Sequence, residues 1–244
     1  MSDRHLFFAL TNPAQGREED FNAWYDRFHV REVVRDAPGF VSGRRFVLDP
    51  LQRQGVGVGE PAPWKYLALY EIESDDLPAT HAALARHSEQ VGFTSDDGAL
   101  SPTHVAWVYS PIGPLVEGGT GIGEDEHVFL ALTNPTEGRE DELNAWYDGH
   151  HVREIVDRMP GFRTGRRYEA RPESQRPGQS PPWRYLALYE LEGDLAEIHA
   201  RDAEVRASGS LTPSLGALDP AYGVWVYTPL GPRITAPELG AAAV

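Results

Sequence analysis

Two stretches of the chain carry nearly the same helix sequence, and they decide the fold. The first is LTNPAQGREEDFNAWYDRFHVREVV at 10–34, and the second is LTNPTEGREDELNAWYDGHHVREIV at 132–156. At this constant offset of 122, the longer segments His5–Phe46 and His127–Tyr168 share 26 identities in 42 positions. Such a repeat predicts two equivalent halves. Because two copies are too few for a solenoid, each half is expected to be a domain.

The match continues beyond a loop of different length. WKYLALYE at 64–71 matches WRYLALYE at 183–190, and Trp-Val-Tyr occurs at 107–109 and again at 225–227. Between the copies, LVEGGTGIGEDE at 115–126 is rich in glycine and acidic residues, a composition typical of a linker. We therefore expect a first domain at 1–114, a linker at 115–126, a second domain at 127–232 and a C-terminal tail at 233–244.

The pattern of apolar runs and breakers predicts the same six elements in each half. Acidic residues early in the helix-one segment favour a helix N-terminus, and Pro38-Gly39 ends that helix. In the first half the expected elements are a strand at 5–11, a helix at 17–36, strands at 40–48 and 64–72, a helix at 77–90 and a strand at 105–109. The order β-α-β-β-α-β is that of the split βαβ, or ferredoxin-like, motif. Its sheet needs cover on the helix-free face, and a second copy can supply it.

These residues carry a family resemblance. The Asn-Pro turn, the helix with Trp-Tyr-Asp-x-x-His at 24–29 and 146–151, the Pro-Gly-Phe triplet and the strand with Arg-Arg resemble the dimeric α+β barrel superfamily, most closely its EthD-like members. The resemblance implies an α+β fold in which two tandem ferredoxin-like βαββαβ domains pack sheet to sheet as an intramolecular dimeric α+β barrel. It also implies that each half encloses a cavity between its helix-free face and its own loops. It implies less about function, because the superfamily is functionally diverse.

Composition excludes several classes of partner. The 244 residues carry a formal charge of −15 and no basic cluster, which argues against binding to nucleic acid or to an anionic membrane surface. The absence of cysteine excludes disulfides, thiolate nucleophiles and iron–sulfur clusters. With no export signal at the N-terminus and no apolar run long enough for a membrane helix, we expect a cytoplasmic protein.

The helix-one face is the strongest candidate for chemistry. His29 and His151 fall on the same helical face as a tyrosine four residues earlier and an asparagine seven residues earlier. Histidine suits proton transfer near neutral pH, and a tyrosine hydroxyl can steady a developing oxyanion. We therefore expect catalytic roles for His29, His151, Tyr25 and Tyr147, and substrate binding by Asn22 and Asn144. The structural alternative is that these histidines and tyrosines hydrogen-bond only to the neighbouring loop.

The strands offer candidate binding residues. One arginine of each Arg-Arg pair must face the cavity side, and Arg45 and Arg167, which share a face with Gly43 and Gly165, are expected to hold an anionic group. A salt bridge to one of the many acidic residues is the alternative role. An aromatic stripe on the third strand could line the cavity for a flat ligand, or could simply pack in the core. Its candidate binding residues are Trp64, Trp183, Tyr66 and Tyr185, and His150 adds a polar group in the second half.

Metal and haem sites have little support. His150 and His151 point about 100° apart on a helix, and no third ligand accompanies the His151–Glu154 pair. Haem occurs in some dimeric α+β barrel proteins, and His81 or His199 could be an axial ligand, but no peroxidase-like motif accompanies them. We therefore expect no metal and no cofactor.

Together these features predict a cofactor-independent enzyme that acts on a small aromatic, polyketide-like or lactone-like molecule, with a possible anionic group. Proton transfer by histidine would make it an isomerase, lyase or cyclase. A cofactor-free monooxygenase on the same scaffold and a non-catalytic ligand-binding or accessory protein are the alternatives. The second half has the more polar helix-one face and is the better candidate if one half alone is active. The barrel is expected to be an intramolecular pseudo-dimer, with outer surfaces available for a further homodimer.

Overall fold

The two halves of the chain repeat one order of elements in a computed structural model, which describes residues 4–50, 63–175 and 180–241. The first half has strands β1 Arg4–Thr11, β2 Phe40–Leu48, β3 Tyr66–Glu73 and β4 Val105–Glu117, with helix α1 over 18–36 and helix α2 Leu77–Gln90. The second half has strands β5 Glu126–Thr133, β6 Phe162–Glu169, β7 Tyr185–Glu192 and β8 Gly223–Pro229, with helix α3 over 140–158 and helix α4 Leu195–Ala207. Strand β9 Ile234–Thr235 and helix α5 Ala236–Ala241 follow.

Eight of the strands close into one antiparallel barrel. Their order around the barrel is β2, β3, β1, β4, β6, β7, β5, β8 and back to β2. Strand β9 pairs with Ser42 and Gly43 of β2, before the residues of β2 that pair with β8. Two strand pairs join the halves: β4 pairs with β6, and β8 pairs with β2. Because the ring is closed, its eight strands have no unpaired edge. The molecule is thus a mixed α+β fold built around a closed antiparallel β-barrel.

The interior of the barrel is apolar because alternate residues of every strand point inward. Four tryptophans, two from each half, fill one end and pack edge to face, with ring centroids 5.3 to 6.0 Å apart. Two inward tyrosines tie this cluster together across the halves: the Tyr109 hydroxyl donates to the Trp183 carbonyl, and the Tyr227 hydroxyl donates to the Trp64 carbonyl. The sheet faces that lack helices are therefore buried against each other.

The helices cover the outside of the barrel, and each half has its own core between helices and sheet. Gly165 shows how tightly α3 packs there: a Cβ at this position would lie 2.7 Å from the Tyr189 ring and 3.1 Å from a Val152 methyl. No helix in the described part of the chain has the length and apolar character that crossing a bilayer requires.

Several elements differ from the sequence-based expectation. Strand β2 and helix α2 have the expected bounds, but β4 extends eight residues further, to Glu117, because Val116 and Glu117 pair with β6. The expected linker at 115–126 therefore begins inside a strand, and the expected tail contains β9 and α5. The N-terminal residues 1–3, the loop residues 51–62 and 176–179, and the last residues 242–244 lie outside the described residues.

Candidate functional site

Helix α3 changes its hydrogen-bonding pattern at the candidate catalytic residues. It is an α-helix at Glu140–Trp146, a π-helix at Tyr147–His151 and an α-helix again at Val152–Arg158. Helix α1 has the same π segment at Tyr25–His29. A π segment widens one turn and is frequent at functional sites. Here it places the rings of Tyr147 and His151 edge to face at 5.3 Å, both beneath the helix.

His151 is held by ring packing rather than by hydrogen bonds. Its imidazole stacks on the Trp146 indole with centroids 4.0 Å apart and planes 22° from parallel. Its Nδ1 atom is buried and has no hydrogen-bond partner among the described residues. Burial lowers the pKa of His151 to about 4, and the positive charge of Arg206 adds to this effect. The imidazole is therefore neutral at physiological pH and can accept a proton.

A cavity of about 280 Å³ lies beside His151, between helices α3 and α4 and the outer face of the second-half sheet. Its wall is largely aromatic and aliphatic, with a few polar groups among them. The lining residues that concern the chemistry are Thr133, Trp146, Tyr147, His151, Tyr189, Arg206, Leu211 and Tyr222. The Tyr189 hydroxyl is also buried without a hydrogen-bond partner among the described residues. His151 and Tyr189 both line the cavity, and each has a buried polar atom without a hydrogen-bond partner among the described residues.

Arg206 contributes a positive charge to the same cavity. Its Nε atom donates to Oδ1 of Asp202 at 2.9 Å, one helical turn earlier on α4. Asp202 is only 5% exposed. Burial lowers the pKa of the Arg206 guanidinium from its ordinary value, while Tyr222 and Tyr189 act in the opposite direction. An arginine held in this way remains charged at physiological pH.

The first half repeats the stack and has a phenylalanine ring beside it. Trp24 stacks on His29 at 4.4 Å, as Trp146 does on His151. Phe93 packs edge-on against His29 at 5.8 Å, on the side where the second half has Leu211 and the cavity. Burial also lowers the pKa of His29 to about 4, and its Nδ1 atom also lacks a partner among the described residues. The two histidines are equivalent in position but differ in access to a cavity.

The structure places Arg45 and Arg167 on the helix side of the sheet, with side chains only 4% and 3% exposed. Arg167 donates to Asp148 at 2.8 Å and to Oδ1 of Asn144 at 2.7 Å, and its guanidinium lies 4.6 Å from the Tyr147 ring centroid. Arg45 makes the equivalent bonds to Asp26 and Asn22. These arginines and asparagines thus hold the helix to the sheet and are not among the residues that line the cavity.

The aromatic stripe divides between two environments. Trp64 and Trp183 lie before the strands rather than within them, and both turn into the barrel interior. Tyr66 and Tyr185 lie on the helix side, where their hydroxyls donate to Glu18 and Glu140 at 2.5 Å. His150 is exposed on the outer side of the π segment. Of the residues that the sequence singles out, only Tyr147 and His151 line the 280 Å³ cavity.

The barrel interior holds a larger cavity of about 590 Å³, near the starts of β1, β2 and β5. The helix-free faces therefore share one cavity, lined by both halves, instead of enclosing one each as expected. Its rim carboxylates are already paired: Arg233 lies 3.2 Å from Glu71 and 3.7 Å from Glu190, and Arg44 lies 2.7 Å from Glu126. These ion pairs leave the smaller cavity as the better candidate for catalysis.

In the part of the chain that the structure describes, neither of the two histidines named as candidate haem ligands borders a cavity that could hold a haem. His199 borders a space of only about 40 Å³, next to Phe129 and Asp202, which has no room for a porphyrin. His81 lies on α2 at an equivalent position and lines none of the cavities described above. Among the described residues, no group of three or more His, Asp or Glu side chains is placed to hold a metal ion.

Comparison with known proteins shows the fold. No protein-family model matches the chain, and no curated protein matches its sequence. Solved structures do match. An anthrone oxidase-like protein is 14% identical, with a TM-score of 0.55 over 97% of this chain and 94% of the other. Chlorite dismutase from Candidatus Nitrospira defluvii is 12% identical, with a TM-score of 0.55 over 99% and 95%.

A third similar structure is a protein of Lactobacillus acidophilus NCFM, provisionally named a monooxygenase. It is 6% identical, with a TM-score of 0.54 over 96% of this chain and 97% of that one. All three likenesses extend over nearly the full length of both chains. The chain therefore has the fold of the dimeric α+β barrel proteins.

Proposed function

We propose that the protein is a cofactor-independent enzyme for a small, flat, largely apolar molecule, and that its reaction begins when His151 removes a proton from that molecule. The observation that carries the proposal is the Nδ1 atom of His151, buried beside a cavity without a hydrogen-bond partner among the described residues. An unpartnered buried polar atom is costly to a fold and calls for an explanation. His29 has the same unpartnered atom, so the cavity that His151 lines is what distinguishes His151. The Nδ1 atom of His151 is the atom that would take the proton.

The cavity sets the size of the substrate. About 280 Å³ is at the lower end of the range for small-molecule sites, with room for one two- or three-ring molecule but not for a flavin as well. Its walls include Phe129, Phe162 and Trp146, whose faces suit an aromatic ligand. This limited space supports a reaction performed by side chains alone.

A neutral imidazole with a pKa of about 4 is a weak base in the free protein. The substrate must therefore have an acidic proton. Examples are the O–H proton of a phenol and the C–H proton of a methylene between two aromatic rings, one of which is conjugated with a carbonyl group. Once the proton moves, the imidazolium faces a substrate anion, and their attraction in a partly dry cavity favours the transferred state. Tyr147, whose ring lies 5.3 Å from the imidazole, would help to orient the imidazole and the substrate anion.

We favour oxygenation as the outcome. A methylene that loses its proton to His151 becomes a carbanion, which adds to dioxygen to form a carbon–oxygen bond. The resulting hydroperoxide anion takes the proton back from His151. Loss of water, with cleavage of the O–O bond and removal of the second hydrogen, then leaves a ketone. The names of two similar structures, an anthrone oxidase-like protein and a provisional monooxygenase, support this class over others.

Isomerisation, cyclisation or elimination is the second candidate, because it begins with the same proton transfer. Tyr189 favours it: its hydroxyl is buried on the cavity wall without a partner among the described residues, and burial raises its pKa well above the ordinary value. Because a raised pKa makes the phenol a weaker acid, its role would be that of a relay: it passes its proton to another atom of the anion and regains a proton from the His151 imidazolium.

The test compares two matched variants, His151→Gln and His29→Gln. Anthrone and oxygen are the first substrates, with oxygen uptake and quinone absorbance as readouts. Exchange of acidic C–H protons in D₂O, followed by NMR over a panel of aromatic ketones, covers the isomerase class. We expect His151→Gln to lose at least 100-fold in rate and His29→Gln to stay within about threefold of the wild type. Equal rates in His151→Gln and the wild type would overturn the assignment of His151 as the base.

A further variant tests the cavity itself. Leu211→Phe introduces the ring that the first half has at Phe93, so it should fill the space beside His151 and abolish turnover without unfolding the protein. Binding that survives without any turnover or proton exchange in the wild type would instead favour a non-catalytic ligand-binding protein. We also propose that the two halves are tandem copies of one ferredoxin-like unit of the EthD-like type; the 26 identities in 42 positions support this.

A further inference from the structure

Helix α4 differs from helix α2 at Arg206, which lines the cavity, and at Asp202, its hydrogen-bond partner one turn earlier. The helices match from Leu77 and Leu195 onward, so Asp202 takes the place of Leu84, and Arg206 takes the place of Ser88. Leu84 is a buried member of the first-half core. The second half therefore has a buried carboxylate at a position where the first half packs a leucine.

This exchange works against stability. Taking a carboxylate and a guanidinium out of water costs more than their mutual attraction usually returns, whereas a leucine in the same place would pack without that cost. Since the first half folds with Leu84 and Ser88, the architecture does not require the Asp202–Arg206 pair. The pair needs another reason, and Arg206 lines the cavity.

The geometry of the pair supplies one. Asp202 binds Nε of Arg206 at 2.9 Å and so fixes the plane of the guanidinium. The two Nη groups of Arg206 have no hydrogen-bond partner among the described residues, and Arg206 lines the cavity that His151 also lines. A planar pair of N–H donors held in this way matches two oxygen lone pairs of an oxyanion.

We propose that the cavity selects a planar aromatic molecule bearing an oxyanion, and that Arg206, positioned by Asp202, is the group that binds that oxygen. This rests on the proposed function, because it names the class of substrate for the same cavity: an aromatic carboxylate, phenolate or enolate. In the reaction above, the oxygen on Arg206 is the one that carries the charge after His151 takes the proton.

Binding of paired probes tests the substrate class separately from catalysis. The probes are 2-naphthoate and its neutral analogue 2-naphthamide, titrated at pH 7 by calorimetry. We expect the wild type to bind naphthoate at least 10-fold more tightly than naphthamide. The decisive variant is Asp202→Leu/Arg206→Ser, which transplants the first-half residues and should fold as the first half does. It should bind both probes equally.

Three further variants locate the effect. Arg206→Lys should keep part of the preference, because it retains the charge but loses the paired donors. Arg201→Gln, an exposed arginine of the same helix, should keep all of it. Leu211→Trp should abolish binding of both probes if they occupy this cavity rather than the one inside the barrel. Circular dichroism and melting temperature confirm that each variant is folded.

The outcomes separate this inference from the proposed function. His151→Gln should keep the preference for naphthoate while losing turnover. A wild type that binds the two probes equally, or a double variant that still prefers naphthoate, would overturn the role of Arg206 and leave the role of His151 standing. If naphthoate preference is present but His151→Gln retains full turnover, the anion site stands and the catalytic assignment fails.

Discussion

The indole of Trp146 and the imidazole of His151 lie 4.0 Å apart, centroid to centroid, and the indole N–H donates to the Thr212 carbonyl at 2.8 Å. Trp24 repeats both contacts, with His29 and with the Thr94 carbonyl. One side chain thus fixes the imidazole and ties the loop after the second helix of each half to its helix-one segment. The stack is common to both halves, so it serves the fold as well as the site.

Replacing these tryptophans separates the two roles. Trp24→Leu and Trp146→Leu each lose a stack and a hydrogen bond, and each should lower the free energy of unfolding by about 2 kcal/mol. In Trp146→Leu the imidazole beside the cavity also loses its orientation, so turnover should fall by about 100-fold. Urea denaturation and steady-state rates measure the two effects. Similar rate losses in both variants would contradict a single active half.

The buried histidines make stability depend on pH. His29 and His151 have pKa values of about 4, lowered mainly by burial, against about 6.5 in the unfolded chain. The unfolded state therefore takes up protons first as the pH falls, so stability is full above pH 6.5 and declines until about pH 4. Each histidine should cost about 2 to 3 kcal/mol by pH 4.5. Burial lowers the pKa of His127 as well, which adds in the same direction.

Urea midpoints at pH 7 and pH 4.5 check this dependence. The matched control is the double variant His29→Gln/His151→Gln, which has no titrating imidazole at either position and should lose much less stability over the same interval. The rate profile gives a second check: the acid limb of kcat/KM should fall near pH 4 rather than near 6.5, because His151 must be neutral to accept a proton. A stability curve that is flat between pH 6.5 and 4.5 would argue that the rings are solvated.

Arg167 offers a test of structural against binding roles. Its guanidinium hydrogen-bonds to Asp148 and Asn144 and lies over the face of the Tyr147 ring. Arg167→Met should therefore lower the free energy of unfolding by about 2 to 3 kcal/mol, since it removes two charge-assisted hydrogen bonds from a buried site. Arg45→Met should cost a similar amount in the first half. The sequence-based hypothesis that Arg167 holds an anionic substrate predicts in addition a loss of naphthoate affinity, which titration of Arg167→Met measures.

Replacing Arg206 alone should destabilise the protein more than replacing Asp202 and Arg206 together. Arg206→Ser alone leaves the Asp202 carboxylate buried without this partner and should cost about 2 to 4 kcal/mol. The double variant Asp202→Leu/Arg206→Ser restores the combination found in the first half and should be at least as stable as the wild type. Thermal and urea unfolding of the three proteins complete the comparison. A double variant less stable than Arg206→Ser would mean that the second half needs the carboxylate for its fold.

Much of the fold could be predicted from the repeat, and the rest depended on contacts between distant segments. Strand β2 and helix α2 have apolar patterns and breakers that set their bounds locally. The extension of β4 to Glu117 could not be predicted from local sequence. Pro111 and Pro114 disfavour a strand, but pairing with β6 overrides their effect. The π segment at Tyr147–His151 likewise has no local sequence signature, because its extra residue per turn is stabilised by the packing of the whole helix.

Only part of the candidate site could be predicted from the sequence, for a related reason. Residues retained in both halves pointed to Tyr147 and His151, but also to Arg167 and Asn144, which have the shared task of holding helix to sheet. Arg206 and Leu211 were missed because they differ from Ser88 and Phe93. The signal was present in those differences, since Arg206 and Leu211 depart from the first copy and both line the cavity.

The closed barrel has a consequence for how the protein behaves on dilution. Strands β4 with β6 and β8 with β2 join the halves, and both halves belong to one chain, so barrel closure is a unimolecular event with an effective concentration in the millimolar range. A barrel assembled from two separate chains dissociates when its concentration drops below its dissociation constant, and it must present the same side chains in both copies. Here neither limit applies. The first half can pack Phe93 against His29, while the second half carries a costly buried charge at Asp202.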